Sequence, residues 1–191
     1  MFLKKILCAF ILTTVSYGAV LADEENIWNT YIGMNIGISA SDVTARGEDF
    51  FDFGGVYNFD FGVRYNKRYR FSLNYQSRAE VSELFQILFG HVISVRNDAL
   101  RINAYYDYVS MEKFAMYIGA GIGGDRYHYE ITKRYNNSTE SKNGFTFTSG
   151  ATTGLSFRMW RTNLDIGFSF DYIAEPRIYS YGPNIGLRYN F

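Results

Sequence analysis

Gly119-Ala120-Gly121-Ile122-Gly123-Gly124 has the G-x-G-x-x-G spacing of a dinucleotide-phosphate cradle. That chemistry needs a helix directly afterwards, so that its N-terminus can hold the pyrophosphate. The next residues are Asp125-Arg126-Tyr127-His128-Tyr129, an alternation suited to a strand, so these glycines are not read as a cofactor site. The chain has two histidines, His91 and His128. Ser94 comes three residues after His91 with no acid placed by spacing, and His128-Tyr129-Glu130 lacks a serine. A Ser/His pair is recognised by geometry rather than by sequence position, and both histidines are read as exposed loop residues. They are too far apart for a metal-ligand cluster, and the single cysteine, Cys8, lies near the N-terminus in an apolar leader. No catalytic, cofactor or metal residue is expected.

A second set of residues has more to offer. Asp52, Asp60, Asp107, Asp165 and Asp171 stand against Arg64, Arg70, Arg101, Arg158 and Arg188, each on the polar side of an alternating segment. Ten charges turned toward one narrow space have two uses. They gate small ions as a constriction, or they pair across the space and close it, which spares each the cost of burial alone. The equal count of acids and arginines favours pairing.

The elements that carry these charges are strands. From Phe51 to Tyr65 the odd positions are almost all apolar or aromatic, and the even positions are polar or glycine except Val56. Fifteen residues of period-two alternation exceed an ordinary soluble strand and suit one tilted across a bilayer. The pattern recurs around Ile32–Ile38, Tyr69–Tyr75, Leu100–Tyr108, Met116–Ile122, Phe145–Phe157, Leu164–Tyr172 and Ile185–Phe191, eight strands in all. Connections alternate short (66–68, 109–113, 159–161) with long (40–50, 79–99, 124–144, 173–180). Since none of the apolar faces carries a charge, that face looks outward into lipid and the charges look inward. The fold expected is all-β: an eight-stranded antiparallel up-and-down transmembrane β-barrel. The 17 Tyr, 17 Phe and 18 Gly suit such a sheet, and 19 basic against 19 acidic residues leave no basic excess for nucleic acid. Within the second long connection Val81, Leu84, Phe85, Leu88, Phe89 and Val92 have helical spacing. Residues 81–92 are either an amphipathic helix or an extension of the flanking strands. Asn137-Ser138-Thr139 has the form of a glycosylation sequon and is read as a polar loop tip.

Lys4 and Lys5, the apolar run Ile6–Val15 and the small residues leading to Ala22 have the layout of a secretory signal peptide. Residues 1–22 are expected to be removed, leaving the barrel over 23–191 slightly acidic and free of cysteine.

Two segments carry a family resemblance. Asn103-Ala104-Tyr105-Tyr106-Asp107-Tyr108 with Tyr117–Gly123, and the ending Ile185-Gly186-Leu187-Arg188-Tyr189-Asn190-Phe191, resemble the small outer-membrane β-barrel and surface-antigen proteins of Gram-negative bacteria. In architecture these are similar to OmpA- and OmpX-type eight-stranded barrels. The resemblance implies location in the cell outer membrane. It also implies contact with membrane lipid and lipopolysaccharide, and recognition by the barrel-assembly machinery through Ile185, Leu187, Tyr189 and the terminal Phe191. It implies, too, a monomeric, non-enzymatic surface protein with a structural or adhesive role through outer loops that meet a host or cell-surface ligand. The alternatives are a narrow, low-conductance channel and, behind it, a lipid A-modifying enzyme using His91 or His128.

Overall fold

The computed structural model describes residues 28–45, 48–80, 91–133, 138–175 and 177–191. Eight antiparallel strands close on themselves in chain order: β1 (Trp28–Ala45), β2 (Glu48–Tyr65), β3 (Tyr69–Glu80), β4 (His91–Ser110), β5 (Phe114–Lys133), β6 (Ser138–Met159), β7 (Thr162–Ile173) and β8 (Arg177–Asn190). Every strand pairs with its chain neighbours, and β8 returns to β1 through Tyr31↔Asn190 to Gly37↔Asn184 and Ala40↔Tyr181 to Thr44↔Arg177. The rungs between these two runs fall at Gly182 and Pro183, and proline has no amide hydrogen to donate. Closure is what lets a sheet sit in lipid, because every backbone group finds a partner within the wall.

Side-chain direction obeys the period of two. Ile32, Met34, Ile36, Phe59, Leu73, Ile102, Ile122, Phe168 and Leu187 point outward and are about half exposed or more; Ile102 reaches 68%. An aromatic collar surrounds the turn end: Trp28 packs on Tyr65 at 4.6 Å between ring centroids, and Tyr69 stacks on Tyr106 at 5.2 Å. Both are interfacial ring types. Pointing inward are Arg70, Asn74, Arg101, Asp107 and Arg188, all buried. Apolar outside and charged inside is the inverse of a soluble barrel.

The turns at this end are tight. Asn66 (φ 49°) and Lys67 (φ 58°) take left-handed backbone as the chain reverses from β2 into β3, and Trp160 (φ 57°) does so between β6 and β7. At the other end the structure corrects the sequence reading. The long loops expected at 40–50, 124–144 and 173–180 are mostly strand: β1 runs to Ala45 and β2 starts at Glu48, β5 runs to Lys133 and β6 starts at Ser138, and β8 starts at Arg177. β4 likewise begins at His91 rather than near Leu100. Strand pairing continues past the lipid, where water on the outer face removes the apolar alternation used to recognise it. Outward positions there are Asp42, Arg96, Asp98, Arg126 and Glu130, all exposed. Residues 81–90 lie outside the described residues, and Val92, the last of the helical stripe, is in β4 opposite Thr132.

One side of the barrel stands taller. β3 pairs with β4 only as far as Arg78↔Asn97, and β6 meets β7 only from Thr148↔Ile173. Above those points, among the described residues, β4, β5 and β6 continue as a three-stranded sheet, through His91↔Lys133 and Lys133↔Ser138. The stretch of β5 from His128 to Lys133 adds roughly 17 Å along the strand.

Candidate functional site: the barrel interior and the outer extension

Toward the turn end, the lumen is filled by arginine, aspartate and tyrosine. Asp107, 1% exposed, accepts from Arg64 Nη2 at 3.1 Å and from Arg70 Nη2 at 3.0 Å. The Arg70 guanidinium also lies over the rings of Tyr105 and Tyr117, at 4.8 and 4.6 Å from their centroids. Asp107 sits where the β4–β5 register shifts, between Asp107 and Val109, and a bulge of this kind re-aims a side chain. Arg188 bonds Asp165 at 3.2 Å and Ser156 at 2.9 Å, beside the ring of Tyr31. Higher up, Arg101 of β4 spans the barrel to Asp171 of β7, which also accepts from Gln76 of β3 at 3.1 Å.

Glycines make room for these rings. A Cβ on Gly62 would fall 2.6 Å from Cζ of Tyr31, and one on Gly154 or Gly167 would fall 2.7 Å from the Tyr117 hydroxyl. No side chain fits at those positions while the tyrosines lie across the lumen. The dinucleotide-like glycines belong to the same arrangement: Gly119, Gly121 and Gly123 sit in β5, with Gly119 facing Tyr105 and Gly121 facing Asn103.

The ten charges expected from sequence are therefore not five simple pairs. Asp107 serves two arginines. Asp60 is held by neutral donors, Ser72 at 2.9 Å with Asn35 and Asn74 at 3.2 Å. Arg158 leaves the lumen, bonding Ser110 Oγ at 2.8 Å and the Met111 carbonyl at 2.9 Å, and so ties the β4–β5 turn to the end of β6. The side chain of Asp52 lies outside the described residues. Sequence reading missed Asp125, which falls where a loop is expected; it is fully buried and accepts from Asn97 at 2.7 Å. It missed Arg78 as well, which crosses from β3 to Ser180 of β8 at 3.0 Å. A longer strand reading through 124–126 and 78–80 would have found both.

Between these layers is a polar cavity of about 70 Å³, lined by Asn35, Asn58, Asp60, Asn74, Arg101 and Asn103 among others. That is room for a few water molecules. A smaller space of about 20 Å³ lies beyond it, past Gln76 and Asp171. Farther toward the loop end, apolar side chains join Asp125, Asn97 and Arg78 on the inner face. Val43, Ala99, Tyr127, Ile173 and Ile178 are each 3% exposed or less, and Ile178 pairs with both Val43 and Ile173.

His128 is in β5, not in a loop, and faces outward on the extension between Arg96 and Asn143. Its ring nitrogens bond Asn143 Oδ1 and, at 3.1 Å, Glu130 Oε1; these two bonds, Asn143 first, raise its pKa above the ordinary imidazole value. His91 is the first residue of β4, opposite Lys133, and Ser94 is opposite Glu130. The side chains of His91 and Ser94, like Asn137 of the sequon and the whole 1–22 leader, lie outside the described residues. No group of three or more His, Cys, Asp or Glu able to hold a metal occurs among the described residues.

A closed sheet with lipid-suited side chains outside and paired charges inside defines a transmembrane β-barrel. The chain belongs to the outer membrane protein beta-barrel domain family, whose sequence model matches residues 7–191. Its fold is that of the Neisserial surface protein A, NspA, at TM-score 0.65 and 17% identity over 85% of this chain and 97% of that one. Ail, the attachment invasion locus protein of Yersinia pestis, is similar at TM-score 0.51 and 12% identity, over 84% of this chain and 98% of that one. No curated sequence matches the chain.

Proposed function

We propose that this barrel is a closed surface protein, neither a channel nor an enzyme, whose β4–β5–β6 extension presents a ligand-binding face outside the cell. The observation that carries this is the extension itself: three paired strands stand above the lipid band with Arg96, Asp98, Arg126 and Glu130 exposed to water on their outer face. A membrane anchor has no need of that surface. Two structural relatives, one named as a surface protein and the other for attachment and invasion, lend support to the same reading.

The closed lumen is the second half of the proposal. Arg101–Asp171 and Arg78–Ser180 cross it, and Val43, Ile173 and Ile178 cap it with groups that offer an ion no solvation. A narrow channel is the second reading, favoured by the polar cavity around Asn58 and Asn103. Against an enzyme, His128 is engaged by an amide and a carboxylate, with no serine among its described hydrogen-bond partners. The protein is taken to be a monomer with residues 1–22 removed during export, and N-terminal sequencing that begins elsewhere than Asp23 would refute the cleavage site. The terminal strand residues Ile185, Leu187, Tyr189 and Phe191 are taken as the mark read by the assembly machinery; normal insertion in cells after deletion of Phe191 would count against this.

The main experiment displays the chain on a non-adherent Gram-negative strain and counts bacteria bound to cultured epithelial cells. Adherence should rise several-fold, and fall back when Arg96 and Arg126 are changed together to Gln. No rise on display, combined with stepwise conductance of the purified barrel in planar bilayers, would replace this reading with the channel.

A further inference from the structure

At the turn end, two neighbouring reversals form a basic corner. The β4–β5 turn offers Lys113 and the β6–β7 turn offers Arg161, both exposed, with Glu112 the one acid in either turn. They are locked together, because Arg158 donates its backbone N–H to the Lys113 carbonyl at 2.9 Å and its guanidinium to Ser110 and Met111. Beside them Trp160 is 91% exposed, held in left-handed backbone (φ 57°), with the Arg161 guanidinium 5.1 Å from its ring centroid.

A tryptophan in that backbone region is unusual, and glycine or asparagine would be the relaxed choice. At that exposure the protein itself covers almost none of the ring. Directly toward the middle of the membrane, the outward side chains are Met159 (52% exposed) and the Phe114–Phe157 pair, with ring centroids 5.6 Å apart. The sequence of layers is therefore cation, amphipathic ring, apolar wall.

We propose that this corner is a binding site for an anionic glycerophospholipid of the periplasmic leaflet. Its phosphate lies between Lys113 and Arg161, its glycerol region against Trp160, and its acyl chains on Phe114, Phe157 and Met159. A soluble anion would satisfy the two cations but leave the ring and the apolar wall uncovered; one lipid molecule covers all three. Tryptophan and cationic side chains are the residue types that hold the headgroup level of a bilayer. The β2–β3 turn also carries Lys67 and Arg68, but it adjoins Trp28, which comes soon after the acidic run Asp23-Glu24-Glu25 in sequence. The site rests on membership in the outer-membrane family, whose short turns face the periplasm, and not on the role proposed for the loop-end extension.

The test uses the full mature chain with Trp28→Phe, which leaves Trp160 as the only tryptophan of the two. It is refolded into phosphatidylcholine vesicles containing, at equal mole fraction, either brominated phosphatidylglycerol or brominated phosphatidylcholine, and Trp160 fluorescence quenching is measured. Two cations at the surface should enrich the anionic lipid around Trp160 on the order of tenfold over the zwitterionic one. High salt should shrink that preference. Lys113→Gln with Arg161→Gln should abolish it, and Lys113→Gln alone, which keeps the Arg161–Trp160 contact, should reduce it. Heat-dependent gel mobility verifies that each variant is folded. Equal quenching by the two brominated lipids overturns the proposal, as does a preference that survives the double substitution.

Discussion

Strands β4 and β5 run through two solvents, and the same face of the same pair looks entirely different in each. Within the lipid band, its outward residues are Leu100, Ile102, Ala104, Ile118, Ala120 and Ile122; above it they are Arg96, Asp98, Arg126, His128 and Glu130. Backbone pairing does not change across this boundary, since Leu100↔Gly124 and Asp98↔Arg126 are consecutive outward rungs of one ladder. Tyr75 marks the border, its hydroxyl donating to Asp98 at 2.8 Å while its ring faces lipid. Hydrogen bonding makes the wall, then, and solvent decides what the wall carries.

Inside the band, both faces are constrained; just above it the outer face is free, while Asn97, Asp125 and Tyr127 on the inner face are still buried. The largest effect should come from the inner face: Asp107→Asn leaves Arg64 and Arg70 without their shared carboxylate. Breaking such a buried group costs about 3 kcal/mol. Urea unfolding of the barrel in lipid vesicles should show that loss, and a change below roughly 1 kcal/mol would mean that Tyr105, Tyr117 and water hold Arg70 well enough alone.

On the outer face, the two halves of the strands can be compared directly. Ile102→Lys, near mid-band, should cost about 2–4 kcal/mol in the same assay. Arg126→Leu lies two outward rungs higher on the partner strand, past Gly124, and should stay within roughly 0.5 kcal/mol. Equal costs would mean that the extension is also immersed in lipid, and would remove the contrast between the two halves.

The smallest effect concerns His128. Its bonds to Asn143 and Glu130 favour the protonated ring, so its pKa is higher folded than unfolded. The stabilisation is therefore complete below the unfolded value near 6.5 and is lost as pH rises through the higher folded value. The drop in thermal midpoint between about pH 5.5 and about pH 8.5 should be slightly greater for the wild type than for His128→Gln. An equal drop would show the imidazole to be solvated in both states.

The same boundary explains what could be read from the sequence. Phe51–Tyr65 announced a strand because lipid on one side and charge on the other wrote a period of two into it. Arg126-Tyr127-His128-Tyr129-Glu130 is no less a strand, but with water on its outer face it offers no apolar member there to count. Residue types in the lumen were legible and partners were not, since Arg101 and Asp171 belong to β4 and β7 and meet only across a closed barrel. Arg158 had the right parity but stands too close to the rim, where backbone carbonyls of the next turn are nearer than any aspartate. The tyrosine–glycine contacts at Tyr31–Gly62 and Tyr117–Gly154 join residues of different strands, and a single sequence carries no record of such register.

The β1–β8 seam has a consequence for how the protein comes into being. All the other ladders join strands that succeed one another in the chain, whereas Tyr31 pairs with Asn190, seven strands later. Bringing such distant ends together costs about 3 kcal/mol more chain entropy than closing a tight hairpin. The rungs missing at Gly182 and Pro183 leave this seam with that much less pairing to offset the cost. Seven strands without the eighth would present two bare edges to the membrane, so no shorter nascent form is a resting state. Seven ladders can form between neighbours in the chain, but the wall has no free edge only once this eighth one joins its two ends.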